Sequence, residues 1–167
     1  MYEIGEQIVY GCQGVYRVEE ITHLDLDQSD KERLYYVLVP VTAGTDKIYT
    51  PVDNRRINMR PVISKEEAEA LIQEIPAIES LTVTSERNRE QQYKEALRSC
   101  DFHSWISIIK TVYSRQEQRL AQGKKITALD ERYLRTTENE AYSELSLALG
   151  VPKDQMVPFI RKQIEGC

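Results

Sequence analysis

Cysteine and histidine are scarce in this chain. Three cysteines (Cys12, Cys100, Cys167) and two histidines (His23, His103) are spread over 167 residues. An odd, sparse set of thiols makes no disulfide framework, and so few thiols and imidazoles hold no ordinary zinc site. Reduced thiols are therefore expected, with no metal and no cofactor. Long apolar runs are also missing: none approaches the roughly 20 residues that cross a bilayer, so no membrane partner is expected. The opening Met1-Tyr2-Glu3-Ile4-Gly5-Glu6 lacks the basic start and apolar stretch of a signal peptide. These features predict a cytoplasmic protein. Positive charge is in deficit, with 22 Lys+Arg against 27 Asp+Glu and a net charge of -5. Nucleic acid repels such a chain at long range unless its basic residues cluster. Any DNA contact is expected to be local, weak alone, and dependent on a partner that holds the protein in place. No nucleophile motif, P-loop or dinucleotide fingerprint is present, so no enzymatic activity is expected. Cys100 and His103 are three apart in a helix-capping region, which is not a catalytic motif.

What is present is the balance of a folded protein, 41% hydrophobic and 29% charged. Up to about Pro61 the chain reads as strands. Ile8, Val9 and Tyr10 form an apolar core, Gly11 and Gly14 bracket a turn, and Val15, Tyr16 and Val18 lead to Ile21. The run Leu34-Tyr35-Tyr36-Val37-Leu38-Val39-Pro40 is the clearest strand, rich in β-branched and aromatic residues. After the turn Ala43-Gly44-Thr45-Asp46, the segment Lys47-Ile48-Tyr49-Thr50-Pro51-Val52 pairs with it as a hairpin. Pro51 cannot donate to a ladder, so that strand ends there or lies at an edge. Beyond Pro61 the period becomes helical. Ser64 and Glu67 make a capping box, with Ala68, Leu71, Ile72 and Ile75 on one face until Pro76 stops the helix. A second helix is predicted from Thr84 or Ser85 to about Arg98. Asp101 caps a third, with Trp105, Ile108, Ile109 and Val112 at core spacing, ended by Gly123. Thr127 caps a fourth, carrying Leu129, Tyr133, Ala141, Leu145 and Leu149 and ended by Gly150. Pro152 suits the first turn of a fifth, which Pro158 makes irregular or split. The expected fold class is α+β: a small Tudor/SH3-like β domain over residues 1–62, then a helical domain of about five helices over 63–167.

Three groups of residues are candidates for function. The hairpin Tyr36–Val41 and Lys47–Pro51 offers an edge onto which another sheet can extend, with Lys47 and Tyr49 setting specificity; alternatively, Tyr49 packs its own sheet. Arg87, Arg89, Lys94 and Arg98 form a basic row. Arg87 and Lys94 are two helical turns apart and share a face that can track phosphates; alternatively, this is a solvated face interleaved with Glu86, Glu90 and Glu95. Lys124 and Lys125, in a loop past Gly123, are a second basic candidate or simply solubilising. Trp105 sits at core spacing, which assigns it to the interior rather than to a ligand. Leu24–Arg33 carries Asp25, Asp27 and Asp30 but lacks the glycine and glutamate of a calcium loop, and reads as an acidic hairpin loop.

The order of these elements resembles the CarD/CdnL family of RNA polymerase-binding transcription regulators. The N-terminal part is similar to the domain shared with the transcription-repair coupling factor, through Ile4, Gly5, the Val9-Tyr10 pair, Gly14-Val15, Val18, Ile21, the Tyr36-Val37-Leu38 strand and Pro51. Tyr93-Lys94 with Leu97, Asp101, the helix through Val112 to Arg119, Gly123, Ala141 and Glu144-Leu145 resemble the family's helical part. The resemblance implies that the β domain adds a strand to the RNA polymerase β subunit, with Lys47, Tyr49, Thr50 and Pro51 as contacts. It also implies that the helical domain touches promoter DNA at the upstream edge of the bubble and alters open-complex stability. The candidates for that DNA contact are the basic residues above, Arg87, Arg89, Lys94, Arg98, Lys124 and Lys125. Three positions differ from the family pattern. Gly11 replaces a proline after the Val-Tyr pair. Tyr49 replaces a basic residue two before Pro51. Arg89 stands where many members place a tryptophan that wedges into the minor groove. The acidic balance and Arg89 leave a second reading open: an adaptor that binds polymerase or another protein without touching DNA.

Overall fold

The computed structural model describes residues 1–24, 32–41 and 44–165. Asp25, Asp27 and Asp30 of the acidic loop, Ala43 of the predicted turn, and Cys167 lie outside the described residues. The chain divides into two compact units, Met1–Val62 and Ile63–Cys167. The first unit holds the strands and the second the helices, so the fold is α+β.

Five antiparallel strands make the first unit: β1 Gln7–Tyr10, β2 Val15–His23, β3 Leu34–Pro40, β4 Ile48–Pro51 and β5 Met59–Pro61. They lie in the order β4-β3-β2-β1-β5, which leaves β4 and β5 at the sheet margins. β5 carries no strand-like run of its own; it forms because β1 offers it an edge, Val9 facing Arg60 and Tyr10 facing Met59. Alternation along the strands gathers Ile8, Tyr10, Tyr16, Val18, Tyr36 and Leu38 into one buried cluster. Burying each aliphatic side chain contributes about 1.5–3 kcal/mol. The ladder between β2 and β3 slips between Val18 and Glu20, a bulge that lets β2 bend without losing its apolar face.

Gly11 explains one departure from the family pattern. Its φ is +54°, and a Cβ there would sit 2.9 Å from Ile57 Cγ2. Proline, locked near φ of about -65°, cannot adopt this turn.

The second unit contains α1 Lys65–Glu74, α2 Glu86–Arg98, α3 Phe102–Ala121, α4 Ala128–Leu149 and α5 Met156–Glu165. The caps read from sequence at Ser64, Asp101 and Thr127 occupy their places, and of the two starts open for α2 the structure takes Ser85. The Ser64 hydroxyl accepts from Glu67 N–H, the Ser85 hydroxyl from Asn88, the Asp101 carboxylate from Ser104 and the Thr127 hydroxyl from Asp130. Gly150 closes α4 at φ 69°, in the left-handed conformation that glycine adopts without strain. Trp105, Ile108, Val112 and Tyr93 fill the interior with Leu145, Ile72 and Met156. Trp105 is wholly buried and donates its indole N–H to Leu97 O at 3.1 Å, so its polar atom is satisfied inside.

The last helix corrects two expectations. Pro152 precedes a 3-10 turn, Lys153–Gln155, rather than opening the helix. Pro158 does not split α5: it is the third residue of Met156–Glu165, within the first turn, where an absent N–H breaks no intrahelical bond.

Candidate functional site

β4 has one free side. Val52 N–H donates to Leu34 O at 3.0 Å. With Tyr36 facing Thr50 and Leu38 facing Ile48, antiparallel alternation turns the backbone groups of Ile48, Thr50 and Val52 toward β3. The N–H and C=O of Tyr49 and the C=O of Pro51 therefore point away from the sheet. Pro51 sits where its missing N–H costs no ladder bond. The Tyr49 side chain is 53% exposed. Lys47 is held by Glu19, 2.8 Å away, and that hydrogen bond and charge raise its pKa. Its ammonium therefore reaches a partner already neutralised.

Thr50 corrects the expected contact set, because its side chain is buried. Its hydroxyl accepts from Asn54 Nδ2 at 2.8 Å and from the Tyr10 hydroxyl at 3.4 Å. Only its neighbours on either side present atoms outward.

Residues 2–63 match the family model for the CarD-like/TRCF RID domain. The β unit is a CarD-like/TRCF RID domain. This is a domain of transcription-related proteins that interact with RNA polymerase. No curated protein matches the chain.

Beyond the RID domain, the basic row of the helical unit is split by burial. Arg87 and Arg98 are exposed, Lys94 is half-buried, and Lys124 and Lys125 are exposed. Arg89 is 5% exposed and does not share that surface. It turns inward to Asp130, with Nε 3.2 Å from Oδ1, and also pairs with Glu86. The Asp130 carboxylate is wholly buried. Its other oxygen accepts from Arg115 Nε at 3.0 Å, and Oδ1 also accepts the Tyr93 hydroxyl at 2.8 Å. Arg115 reaches on to Glu86 Oε1 at 3.3 Å. The assignment of Arg89 to a DNA-facing surface is thereby corrected: its guanidinium is buried and held inside by the attraction of a buried carboxylate and of Glu86.

The network is electrostatically settled. Burial opposes ionisation of Asp130, but its hydrogen bonds from Arg115 and Tyr93, with the charges of Arg115 and Arg89, outweigh that and hold its pKa below the usual value. Burial, then the bond to Asp130, pushes the Tyr93 phenol well above its ordinary range. Sequence reading did not find Asp130 or Arg115. Asp130 stands three residues after the capping Thr127, where an acid is expected for helix reasons alone.

The network also draws the start of α2, the end of α3 and the start of α4 together. Arg119 Nε donates to Lys125 O at 2.6 Å, fixing the loop that carries Lys124 and Lys125. Arg87, Lys124 and Lys125 thus lie at one end of the helical unit. Lys94 lies about 10 Å further along α2. Glu90 tempers this side: its Oε1 is 3.6 Å from Lys94 and 3.0 Å from Arg132. The surface is a mixed lattice of charges with positive weight at one end, not an unbroken cationic strip.

Glu140 is a second buried acid. Burial, then the neighbouring charge of Glu144, raises its pKa from 4.5 to about 7, against the opposing pull of Lys153. A folded pKa above the unfolded value means that the folded state holds the proton more tightly. Its stabilising contribution is whole below about pH 4.5 and disappears as pH rises through about 7. Glu140→Gln is therefore expected to stabilise the protein by about 2 kcal/mol at pH 8 and to change little at pH 4, read by denaturant unfolding at the two pH values.

Proposed function

We propose that the chain is a non-catalytic transcription regulator that binds the RNA polymerase β subunit by adding its β4 edge to a strand of that subunit. The observation that carries this is the outward N–H and C=O of Tyr49 on the free side of a RID-domain strand. Docking supplies the binding energy, and the helical unit then acts at a high local concentration near promoter DNA. In this reading Arg87, Lys124 and Lys125 meet phosphates, with Lys94 and Arg98 further along the same helix, and open-complex lifetime changes as a result. The contacts are electrostatic, because the position at which relatives place a wedging tryptophan is the buried Arg89.

Glu90 favours a second reading. By engaging both Lys94 and Arg132 it lowers the positive charge that the middle of α2 offers to phosphates, as suits an adaptor that recruits another protein without touching DNA.

Residues 1–62 are expected to retain RNA polymerase from a bacterial lysate. Retention by residues 63–167 alone, with none by the β unit, would overturn the polymerase reading. The two roles of the helical unit separate in an open-complex assay. Combined Arg87→Ala, Lys124→Ala and Lys125→Ala should alter complex lifetime at low salt and less at high salt, polymerase binding being unchanged. An unaltered lifetime at every salt concentration leaves the adaptor.

A further inference from the structure

The Pro51 end of β4 opens onto an unusually basic hollow. Arg33, Pro51, Asp53, Asn54, Arg55 and Arg56 line an open depression of about 590 Å³. Asp53 is already committed: its Oδ1 is 3.1 Å from both Nε and a terminal nitrogen of Arg33. Arg55 and Arg56 are exposed, and neither guanidinium has an acidic partner among the described residues. Three arginines against one aspartate leave two positive charges in the hollow. The loop that presents them is pinned. Arg56 N–H donates to Asn54 Oδ1 at 2.8 Å, and Asn54 Nδ2 donates to the buried Thr50 hydroxyl at 2.8 Å. The two arginines therefore keep their place relative to the edge strand.

We propose that Arg55 and Arg56 receive the carboxylate of an aspartate or glutamate carried by the partner segment, just beyond the residues that pair with β4. The proposal rests on the β4 reading above and adds the chemistry of the partner. Pro51 has no N–H, so a docked strand runs out of donors there and its chain continues over the hollow. A short edge offering the complete backbone pair of only one residue, Tyr49, specifies register weakly, since backbone pairing is much the same at each two-residue slip. One acid captured at the strand end removes that degeneracy. Guanidinium groups suit the task, because their planar donors match a carboxylate in a two-bond fork.

The test uses the full chain and purified RNA polymerase core enzyme. Binding is measured for the parent, for Tyr49→Pro, and for the pair Arg55→Ala with Arg56→Ala, far-UV circular dichroism confirming that each folds. The alanine pair is expected to weaken binding about tenfold or more at low salt, with a smaller loss at high salt. Tyr49→Pro should abolish binding. The pair Arg55→Lys with Arg56→Lys, treated with a carbodiimide in the complex, should form an amide cross-link to an aspartate or glutamate of the polymerase, located by mass spectrometry. If the alanine pair binds like the parent while Tyr49→Pro does not bind, the acid-capture proposal falls and the β4 reading stands. If both variants bind like the parent, both fall. If the alanine pair weakens binding but the lysine pair gives no cross-link, the group received there is not a carboxylate and the proposal is overturned.

Discussion

Asp130→Ala is expected to cost about 3–5 kcal/mol of folding stability, a large part of what holds an ordinary domain together. The substitution leaves Arg89 and Arg115 facing a cavity with no buried counter-charge, and removes the acceptor of the Tyr93 hydroxyl. Arg89→Ala should cost less, because Asp130 keeps Arg115 and Tyr93. Arg89→Trp should not rescue it, since an indole has no charge to offer the carboxylate and must be forced into a packed interior. The pH dependence identifies the cause. Asp130 has a pKa lowered from 3.8, so its contribution is present above that value and is lost as pH falls through the still lower folded pKa. The gap between parent and Asp130→Ala in urea unfolding should therefore be wide at pH 7 and close in acid. An unfolding midpoint for Asp130→Ala equal to the parent's at pH 7 would show that the network contributes nothing.

Tyr49→Pro is expected to abolish retention of RNA polymerase while leaving the β unit folded. The bonds that β4 makes to β3 come from Ile48, Thr50 and Val52, so the Tyr49 N–H can be removed without loss inside the sheet. Pro51, two residues on, already occupies the same outward phase. What disappears is the outward donor at the centre of the free edge, the group that strand addition requires. Tyr49→Ala keeps that donor and loses only the exposed ring, so it should weaken binding without abolishing it. Far-UV circular dichroism checks the fold and a polymerase pull-down checks the edge. Undiminished retention by a folded Tyr49→Pro chain would remove β4 from the interface.

These two residues also show where sequence reading stops. Tyr49 is legible because its strand, its turn and Pro51 follow local rules: alternation, glycine-bracketed turns and a proline that must sit at an edge. Thr50 was grouped with it by adjacency, but side chains alternate, and the face Thr50 takes depends on the strand lying beside it. Arg89 is harder. On a helix wheel it lies away from Arg87 and Lys94 and on the side of Tyr93 and Leu97, but nothing local names the counter-charge that lets an arginine be buried there. Its partner Asp130 is forty-one residues away and shows on paper only as a capping-position acid.

Local physics acts over three or four residues, so the sequence by itself determined what local physics governs. That includes the strands around Val9, Val18 and Val37, the caps at Ser64, Asp101 and Thr127, the glycine ends, and the burial of Trp105 among Ile108, Ile109 and Val112. It also determined the change from strand to helical period near Pro61. β5 was decided only by tertiary structure, because Met59–Pro61 has no strand pattern and pairs only where β1 presents an edge. The fate of the charges was decided there too: Arg89 inward on Asp130, Arg132 on Glu90, and Arg33 on Asp53. The energy of a charge depends on its solvent and its counter-charges, and folding brings those from residues that no local pattern connects.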